Sequence, residues 1–494
     1  MIAMTESRTS YLIDPDPLYA VTMSAKPICV DLDGTLVKSD TLVDSLLVLA
    51  RNHPRLLLQL PGALRNGKAG FKAFVTSHVE LDVAHLPYNR KLLHFLQQEH
   101  SRGRDLYLAT GADVRLAERV ADHLGIFSGV LGSDGATNLT GRKKLAILHT
   151  WFGHHGFAYI GNSTTDLPLL SDASEKMLAN PSAALRSSIR KRGITPSYVF
   201  EERTNLLRSL VKAFRPHQWA KNLLILLPPL LAHDRSFPGL EKALLSLACF
   251  CCIASATYLV NDLLDIDADR RSTRKRSRPF ASGDLAPSAG LIASAALLIL
   301  GIALARALPI GFFFWLTLYI VSTLTYSLYL KRIALLDVLV LSGLYTIRLL
   351  AGGAATKTPI SHWLAGFAIF LFFSLAIVKR FAELEHLRLA GKQLKNGRGY
   401  LMTDVEQMRV FGTASAFAAV VVFANYIGSQ DVIRLYSHAR YLWLIVPLMI
   451  LWTCRVWLLA SRGELNEDPV AFALTDLPSL LIGVCVLVTV LLAI

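Results

Sequence analysis

The stretch that decides the fold is Asn261-Asp262-Leu263-Leu264-Asp265-Ile266-Asp267-Ala268-Asp269-Arg270. A long apolar run, Ala248 to Val260, leads directly into it. A basic cluster of Arg271, Arg274, Lys275, Arg276 and Arg278 follows. Four carboxylates at the end of a membrane-length helix are costly to place, so they signal function. On a helix turning about 100° per residue, Asp262, Asp265 and Asp269 fall within roughly 60° of one another. Asn261 sits one turn before Asp265, on the adjoining edge of that face. Like charges on one face repel unless a cation lies between them, and all-oxygen ligands suit Mg²⁺. The competing reading is a solvated helix end with incidental acids.

Working outward, 494 residues suffice for two or three domains, and 53% hydrophobic content is high for a soluble protein. The apolar residues are unevenly spread. Up to about residue 205 the chain mixes charged and apolar residues as a globular domain does; beyond it lie runs near the roughly 20 residues needed to span a bilayer. The expected organisation is a flexible leader over 1–24, a soluble domain with its linker over 25–205, and a membrane domain over 206–494. The net charge of +14 could suggest nucleic acid. Its positive clusters lie beside apolar spans, however, so membrane orientation and anionic ligands explain it better. Cys249, Cys251, Cys252, Cys454 and Cys485 sit in apolar runs and Cys29 in a buried strand, with no metal-ligand spacing. The first 26 residues hold three acids before any sustained apolar stretch, so no secretory signal is expected.

In the soluble half, Pro27-Ile28-Cys29-Val30 reads as a buried strand ending in Asp31-Leu32-Asp33-Gly34-Thr35. Alternation along a strand sends Asp31 and Asp33 to one side. Residues 40–100 are helical in pattern, with a polar loop around Arg65–Gly70. A second strand, Asp105 to Ala109, ends in Thr110-Gly111. Gly141-Arg142-Lys143-Lys144 opens an apolar helix, and Phe157 to Ile160 runs into Gly161-Asn162-Ser163-Thr164-Thr165-Asp166. Strands alternating with helices imply an α/β doubly wound parallel sheet with polar residues at the strand ends. The basic and polar run from Arg186 to Thr204 reads as the linker to the second half.

These four strand ends, in this order, resemble the haloacid dehalogenase superfamily of phosphohydrolases over residues 27 to about 185. The resemblance implies that Asp31 is the nucleophile and Asp33 the general acid and base. Thr110 and Lys144 would hold the phosphoryl oxygens, with Lys143 as the alternative to Lys144. Asp31, Asp33, Asp166 and Asn162 would surround Mg²⁺, and the helices between the first two motifs would form a cap. Many members carry an acid where Asn162 stands, so the site has one carboxylate fewer than theirs and a degenerate domain is the competing reading.

The second half reads as an all-α bundle of about nine transmembrane helices, at roughly 217–233, 241–262, 288–307, 311–330, 334–352, 361–381, 408–428, 441–460 and 473–493. The segments after the even-numbered spans carry most of the Lys and Arg. The positive-inside bias therefore places them, the N-terminal domain and the active site in the cytosol of a multi-pass protein of the inner or plasma membrane. Lys221 and Asn222 open the first span. Asp337 and Arg348 lie within the fifth, about 16 Å apart along the helix, too far to pair with each other. Each is expected to face the bundle interior, Arg348 as a ligand or as a helix–helix tie.

With the aspartate motif followed by Arg278-Pro279-Phe280-Ala281-Ser282-Gly283, this half resembles the UbiA superfamily of intramembrane transferases. The resemblance implies nine helices and a cytosol-facing Mg²⁺ site. Where prenyl-transferring members carry a second aspartate-rich motif, this chain reads Val378-Lys379-Arg380-Phe381-Ala382-Glu383-Leu384-Glu385-His386, then Lys392, Lys395 and Arg398. With Lys221-Asn222, Arg348 to Gly353 and Glu467-Asp468-Pro469, it looks most like the decaprenyl-phosphate phosphoribosyltransferase branch. That branch moves 5-phosphoribose from phosphoribosyl pyrophosphate to a polyprenyl phosphate. The substrate-binding residues implied are Lys221, Asn222, Asn261, Arg278, Arg348, Lys379, Arg380 and Glu383. Lys379 and Arg380 could instead only mark the cytosolic end of a span. The fused phosphatase would then remove the sugar 5-phosphate. The rival readings are a prenyltransferase using a prenyl diphosphate and a small acceptor, and a non-catalytic membrane scaffold. The sequence carries no signal of oligomeric state.

Overall fold

The computed structural model describes residues 26–494 apart from 203, 234–235, 390–398 and 466–468. The leader expected over 1–24, Lys392, Lys395 and Arg398, and Glu467-Asp468 lie outside the described residues. The chain forms two compact units: one of residues 1–209 with 262–287, the other of residues 210–261 with 288–494. The aspartate-bearing segment therefore packs with the α/β half.

The first unit holds a parallel sheet in the order β3-β2-β1-β4-β5-β6. Its strands are β1 (Ile28–Val30), β2 (Leu106–Asp113), β3 (Gly129–Ser133), β4 (Ala158–Gly161), β5 (Lys176–Ala179) and β6 (Tyr198–Phe200). β1 is central: Ile28 pairs with Leu106 on one side and Ala158 on the other. Its three residues are fully buried, because helices cover both faces and leave no polar alternation in the strand. The sheet reverses direction of winding at β1, so the crevice beyond its C-terminal end is where such a sheet places a ligand. Between β1 and β2 the helices Thr41–Asn52, Leu60–Arg65, Gly67–His78 and Arg90–Ser101 are inserted. The loop expected around Arg65–Gly70 is only a junction at Asn66 between two of them. The expected linker is also structured: Ala183–Lys191 is a helix that buries Leu185 and Ile189, one turn apart, and Tyr198–Phe200 is the sixth strand.

The second unit is helical. Among the described residues, seven helices are long and apolar enough to cross a membrane: Phe237–Leu264, Pro287–Ala305, Ile310–Leu328, Leu336–Thr356, His362–Arg388, Met402–Ile427 and Ala439–Ser461. This makes the chain an integral multi-pass membrane protein, with seven such helices among the described residues where nine are expected. Residues 217–233 form instead a 3-10 segment, Pro216–Leu226, and a short helix, Leu227–Leu231, because Pro228 and Pro229 supply no backbone N–H to carry a helix forward. The last, Leu477–Ala493, is a shorter apolar helix. Small residues let the helices close up. A Cβ at Gly352 would lie 2.1 Å from the Ile225 carbonyl oxygen, and one at Gly412 2.1 Å from the Trp457 ring.

Candidate active sites

The first site grows from the end of β1. The backbone N–H of Asp31 donates to Ile160 O at 3.0 Å, which extends the strand pairing as far as the carboxylate. Gly34 then turns the chain at φ +72°, and a Cβ there would lie 2.0 Å from Asn162 Nδ2. Only glycine lets the first and last motifs approach this closely. Asp31 Oδ1 accepts from Lys144 Nζ at 2.9 Å, and the same ammonium donates to Tyr159 Oη at 3.0 Å. Tyr159 donates in turn to Asp166 Oδ1 at 3.0 Å. Asp166 Oδ2 accepts from the backbone N–H of Asn162 and Ser163 at 3.1 and 3.0 Å. Asp33 Oδ1 accepts from the Thr41 N–H at 2.7 Å. Thr110 is fully buried, with its hydroxyl accepting from Ala112 N at 3.0 Å.

The electrostatics follow from burial. Asp31 is pushed up to about 6, chiefly by burial, with Lys144 opposing and Asp166 adding to the rise. Asp33 is pushed up to about 7 by burial and by the charge of Asp40. Burial works against the Lys144 ammonium, yet Asp31 and Asp166 hold its pKa above the usual lysine value. A pocket that destabilises two of its own carboxylates has an oxygen-rich donor set suited to a hard divalent cation. Asp31, Asp33, Asp166 and the Asn162 amide are the groups that could hold one. Of the two candidate lysines, Lys144 is buried on Asp31 and Lys143 is exposed.

Two residues here escaped the sequence reading. Tyr159 links Lys144 to Asp166, and its signal was a phenol in an otherwise apolar strand. Lys72, from the inserted helix Gly67–His78, donates to Gly111 O at 2.5 Å and to Asn138 Oδ1 at 2.8 Å. Burial lowers its pKa, with Asp33 and Asp40 opposing. No local pattern marks it out.

The aspartate motif forms the second site. The helix Phe237–Leu264 ends one residue before Asp265, and a second helix, Ile266–Arg271, starts one residue after it. The segment is therefore not one continuous helix, although Asp269 N still donates to Asp265 O at 2.8 Å. Arg278 Nη1 donates to Asp269 Oδ2 at 2.6 Å and to Asp262 Oδ1 at 3.2 Å. Both carboxylates are almost fully buried. Burial raises the Asp269 pKa, with Arg278 and Lys275 pulling against it. Asp265 pairs with Arg51, Nη1 to Oδ1 at 2.6 Å. The three aspartates thus have Arg51, Arg278 and Lys275 beside them, Lys275 Nζ lying 3.9 Å from Asp269 Oδ1, cations whose place a divalent cation and an anionic ligand could take over together.

The remaining expected residues lie in the helical unit. Asn261 Oδ1 accepts from Lys331 Nζ at 3.4 Å. Lys221 and Lys379 line one cavity with Leu341, Tyr345, Leu375 and Ala376, and the Lys221 ammonium lies over the Tyr345 ring, 5.6 Å from its centre. Asn222 accepts from Arg348 Nε at 2.9 Å; Arg348 also donates to Leu344 O at 2.6 Å and to Tyr319 Oη at 3.0 Å. Arg380 donates to Asp337 at 2.7 Å, to both Glu383 oxygens at 2.8 Å and to Tyr326 Oη at 3.2 Å. The donors of Arg348 and Arg380 are thus engaged with protein groups, and these side chains tie helices together. Asp337 accepts from Arg380 and from the Tyr400 hydroxyl.

The parallel sheet with an aspartate at its switch point marks an α/β domain with a phosphohydrolase-like site, and the apolar helices with their acidic motif mark a membrane-embedded domain with a candidate cation site. The chain belongs to the UbiA prenyltransferase family, which it matches over residues 222–477, and carries ahead of that region a haloacid dehalogenase-like hydrolase domain over residues 28–171. An uncharacterised protein of Sinorhizobium fredii, y4nM, is 35% identical over 92% of this chain and 89% of its own length. A decaprenyl-phosphate phosphoribosyltransferase of Mycolicibacterium smegmatis is 34% identical over 46% of this chain and 72% of its own length. A UbiA homologue from Archaeoglobus fulgidus, solved with GPP and Mg²⁺, is 19% identical, covers 57% of this chain and 97% of its own, and superposes with a TM-score of 0.44.

Proposed function

We propose that the membrane half transfers 5-phosphoribose from phosphoribosyl pyrophosphate to a polyprenyl phosphate, and that the hydrolase half removes the 5-phosphate from the product. The observation that carries this reading is the cavity where Lys221 and Lys379 meet the apolar walls of Leu341, Tyr345 and Leu375. Two ammonium groups above aliphatic and aromatic carbon suit a phosphate carried on a hydrocarbon chain. A neutral aromatic acceptor would need neither lysine. The likeness to a decaprenyl-phosphate phosphoribosyltransferase supports the same choice.

Asp262, Asp265 and Asp269 would hold Mg²⁺ and, through it, the donor diphosphate; when bound, the cation would supply positive charge to neutralise the leaving group. Arg278, already on two of these carboxylates, orients the motif and adds positive charge beside the leaving oxygens. The lipid phosphate is itself the nucleophile, so no strong protein base is required. Arg348 and Asn222 fix the segment that carries Lys221, and the Arg380–Asp337 pair fixes the helix that carries Lys379.

In the hydrolase half Asp31 attacks the 5-phosphate, and an aspartyl-phosphate forms as the ribose oxygen leaves. Asp33, with a pKa near neutrality, supplies the proton to that oxygen and then takes one from the water that releases phosphate. Lys144 and Thr110 bind the phosphoryl oxygens, and Tyr159 keeps Lys144 and Asp166 in register. Both sites work on the cytosolic side of the membrane.

Incubating membranes that contain the chain with labelled phosphoribosyl pyrophosphate and polyprenyl phosphate tests the reading. Label should enter the lipid, and the intact chain should yield a lipid lacking the 5-phosphate. An Asp31→Asn chain should stop at the phosphoribosyl lipid. Product formation only from a prenyl diphosphate and an aromatic acceptor would replace this reading with a prenyltransferase, and no transfer with any donor would favour a scaffold.

A further inference from the structure

The aspartate motif is completed by a residue that belongs to the hydrolase domain. Arg51 lies in the last turn of the helix Thr41–Asn52. Its Nη1 reaches Asp265 Oδ1 at 2.6 Å and also donates to Leu264 O at 3.2 Å. Leu264 is where the long apolar helix stops, so Arg51 satisfies a carbonyl left open by the helix end while it neutralises the central aspartate.

The contact sits on a built joint. Arg270, one turn beyond Ile266, is buried, with Nη1 on Asp44 Oδ2 at 2.8 Å, Nη2 on Ser39 Oγ at 3.1 Å and Nε on Ala281 O at 3.3 Å. Asp44 is itself fully buried and lies on the same helix as Arg51, seven residues earlier, hence on the same face. Gly283, at φ +73°, closes the other side, where a Cβ would lie 2.8 Å from Lys38 Cβ. Arg271 Nε adds a contact to Asp82 Oδ2 at 3.1 Å. With Arg270 holding the joint, the partly exposed Arg51–Asp265 pair is not needed for stability, since such pairs add little. Its side chain is 24% exposed and that of Asp265 16%, so a ligand can reach both.

We propose that Arg51 is a substrate-binding residue of the transferase site. Its guanidinium pairs with Asp265; with a divalent cation on Asp265 it would instead bind a non-bridging oxygen of the donor diphosphate. The proposal rests on the diphosphate role given above to the aspartate motif. It makes donor binding by the membrane half depend on a side chain of the hydrolase half, independently of hydrolysis.

The test is equilibrium binding of radiolabelled inorganic pyrophosphate, with Mg²⁺, to the full-length chain in detergent. All proteins carry Asp31→Asn, which spares the probe from hydrolysis, and an Asp262→Asn chain defines what is bound outside the aspartate site. Arg51→Ala should weaken the Asp262-dependent binding about tenfold, the loss expected for one charge-assisted contact, and Arg51→Lys should recover part of it. In transfer assays the same loss should appear in KM for the donor more than in kcat. Unchanged or tighter pyrophosphate binding by Arg51→Ala would overturn the proposal, leaving Arg51 as a mere counter-ion. Equal loss in Arg51→Lys and Arg51→Ala, accompanied by a lowered melting temperature in both, would also overturn it in favour of a structural role. If the Asp31→Asn parent shows no Asp262-dependent binding, the diphosphate reading of the motif fails first.

Discussion

The hydrolase site and the aspartate motif solve one problem, concentrated negative charge, in different ways. Around Asp31 the compensating cation is one lysine, fully enclosed and shared through Tyr159 with Asp166. Around Asp262, Asp265 and Asp269 the compensation comes from Arg51, Arg278 and Lys275, all partly exposed. A buried ammonium is a point charge that stays with the carboxylate it faces. A guanidinium has several donors and can hold a carboxylate while presenting others to an incoming anion. Under the proposed function, the first arrangement suits attack at phosphorus, and the second suits exchange of its countercharges for a metal-bound diphosphate.

The largest expected effect tests the first half of this contrast. Asp31→Asn removes the proposed nucleophile and should lower hydrolysis of a phosphate monoester at least about a thousandfold. Phosphate release by the purified chain in Mg²⁺ is the measurement, and residual hydrolysis near the parent level would place the chemistry elsewhere. Next, Asp269→Asn should reduce label transfer from the donor by about a hundredfold, through weakened metal binding and loss of leaving-group neutralisation, while phosphate release persists. If both activities fell together, the two sites would not be separable in the way described.

Arg270→Ala tests the joint that carries the motif. It strands the fully buried Asp44 without its arginine, and breaking such a pair costs about 3–5 kcal/mol; the melting temperature of the intact chain should fall accordingly. A variant as stable as the parent would mean that Asp44 takes up a proton or finds another partner.

The smallest effect is in pH. Asp31 and Asp33 titrate at about 6 and about 7, above the ordinary carboxylate value, because they are buried. Between about pH 5 and pH 7 the folded chain therefore holds protons that the unfolded chain has lost, so stability falls as pH rises across that window. In Mg²⁺-free buffer the melting temperature should decline by a few degrees over it. Added Mg²⁺ should reduce the decline, because the cation replaces the protons. A rise in melting temperature over the same window without Mg²⁺ would contradict the buried-carboxylate picture.

Much of this was legible in the order of residues. The Asp31-Leu32-Asp33 strand end, the Thr110 and Asp166 ends, and the Asn261–Asp269 run are local patterns, and their chemistry follows from residue type and spacing. Three strands were readable as apolar runs. The other three were not: β3 is rich in glycine and serine, β5 opens on Lys176 directly after the polar Ser174-Glu175, and β6 follows a basic stretch that looks like linker. Nine apolar segments were equally plain, yet residues 217–233 lack the unbroken helix of a span because two prolines interrupt them. Arg348 illustrates the limit within the helical unit. Its burial is foreseeable from an arginine in an apolar run, whereas its partners Asn222 and Tyr319 come from other segments.

By itself the sequence determined that a haloacid dehalogenase-like module precedes a UbiA-type membrane domain, and which carboxylates are the candidates in each, because covalent order and short-range periodicity carry that information. Only the tertiary structure set Lys144 rather than Lys143 on Asp31, paired Asp337 with Arg380, and brought Tyr159 and Lys72 to the hydrolase site. It also set Arg51 on Asp265 and Arg270 on Asp44. Each of these is a contact between residues far apart in the chain, fixed by the packing of whole elements, and no local pattern can specify it.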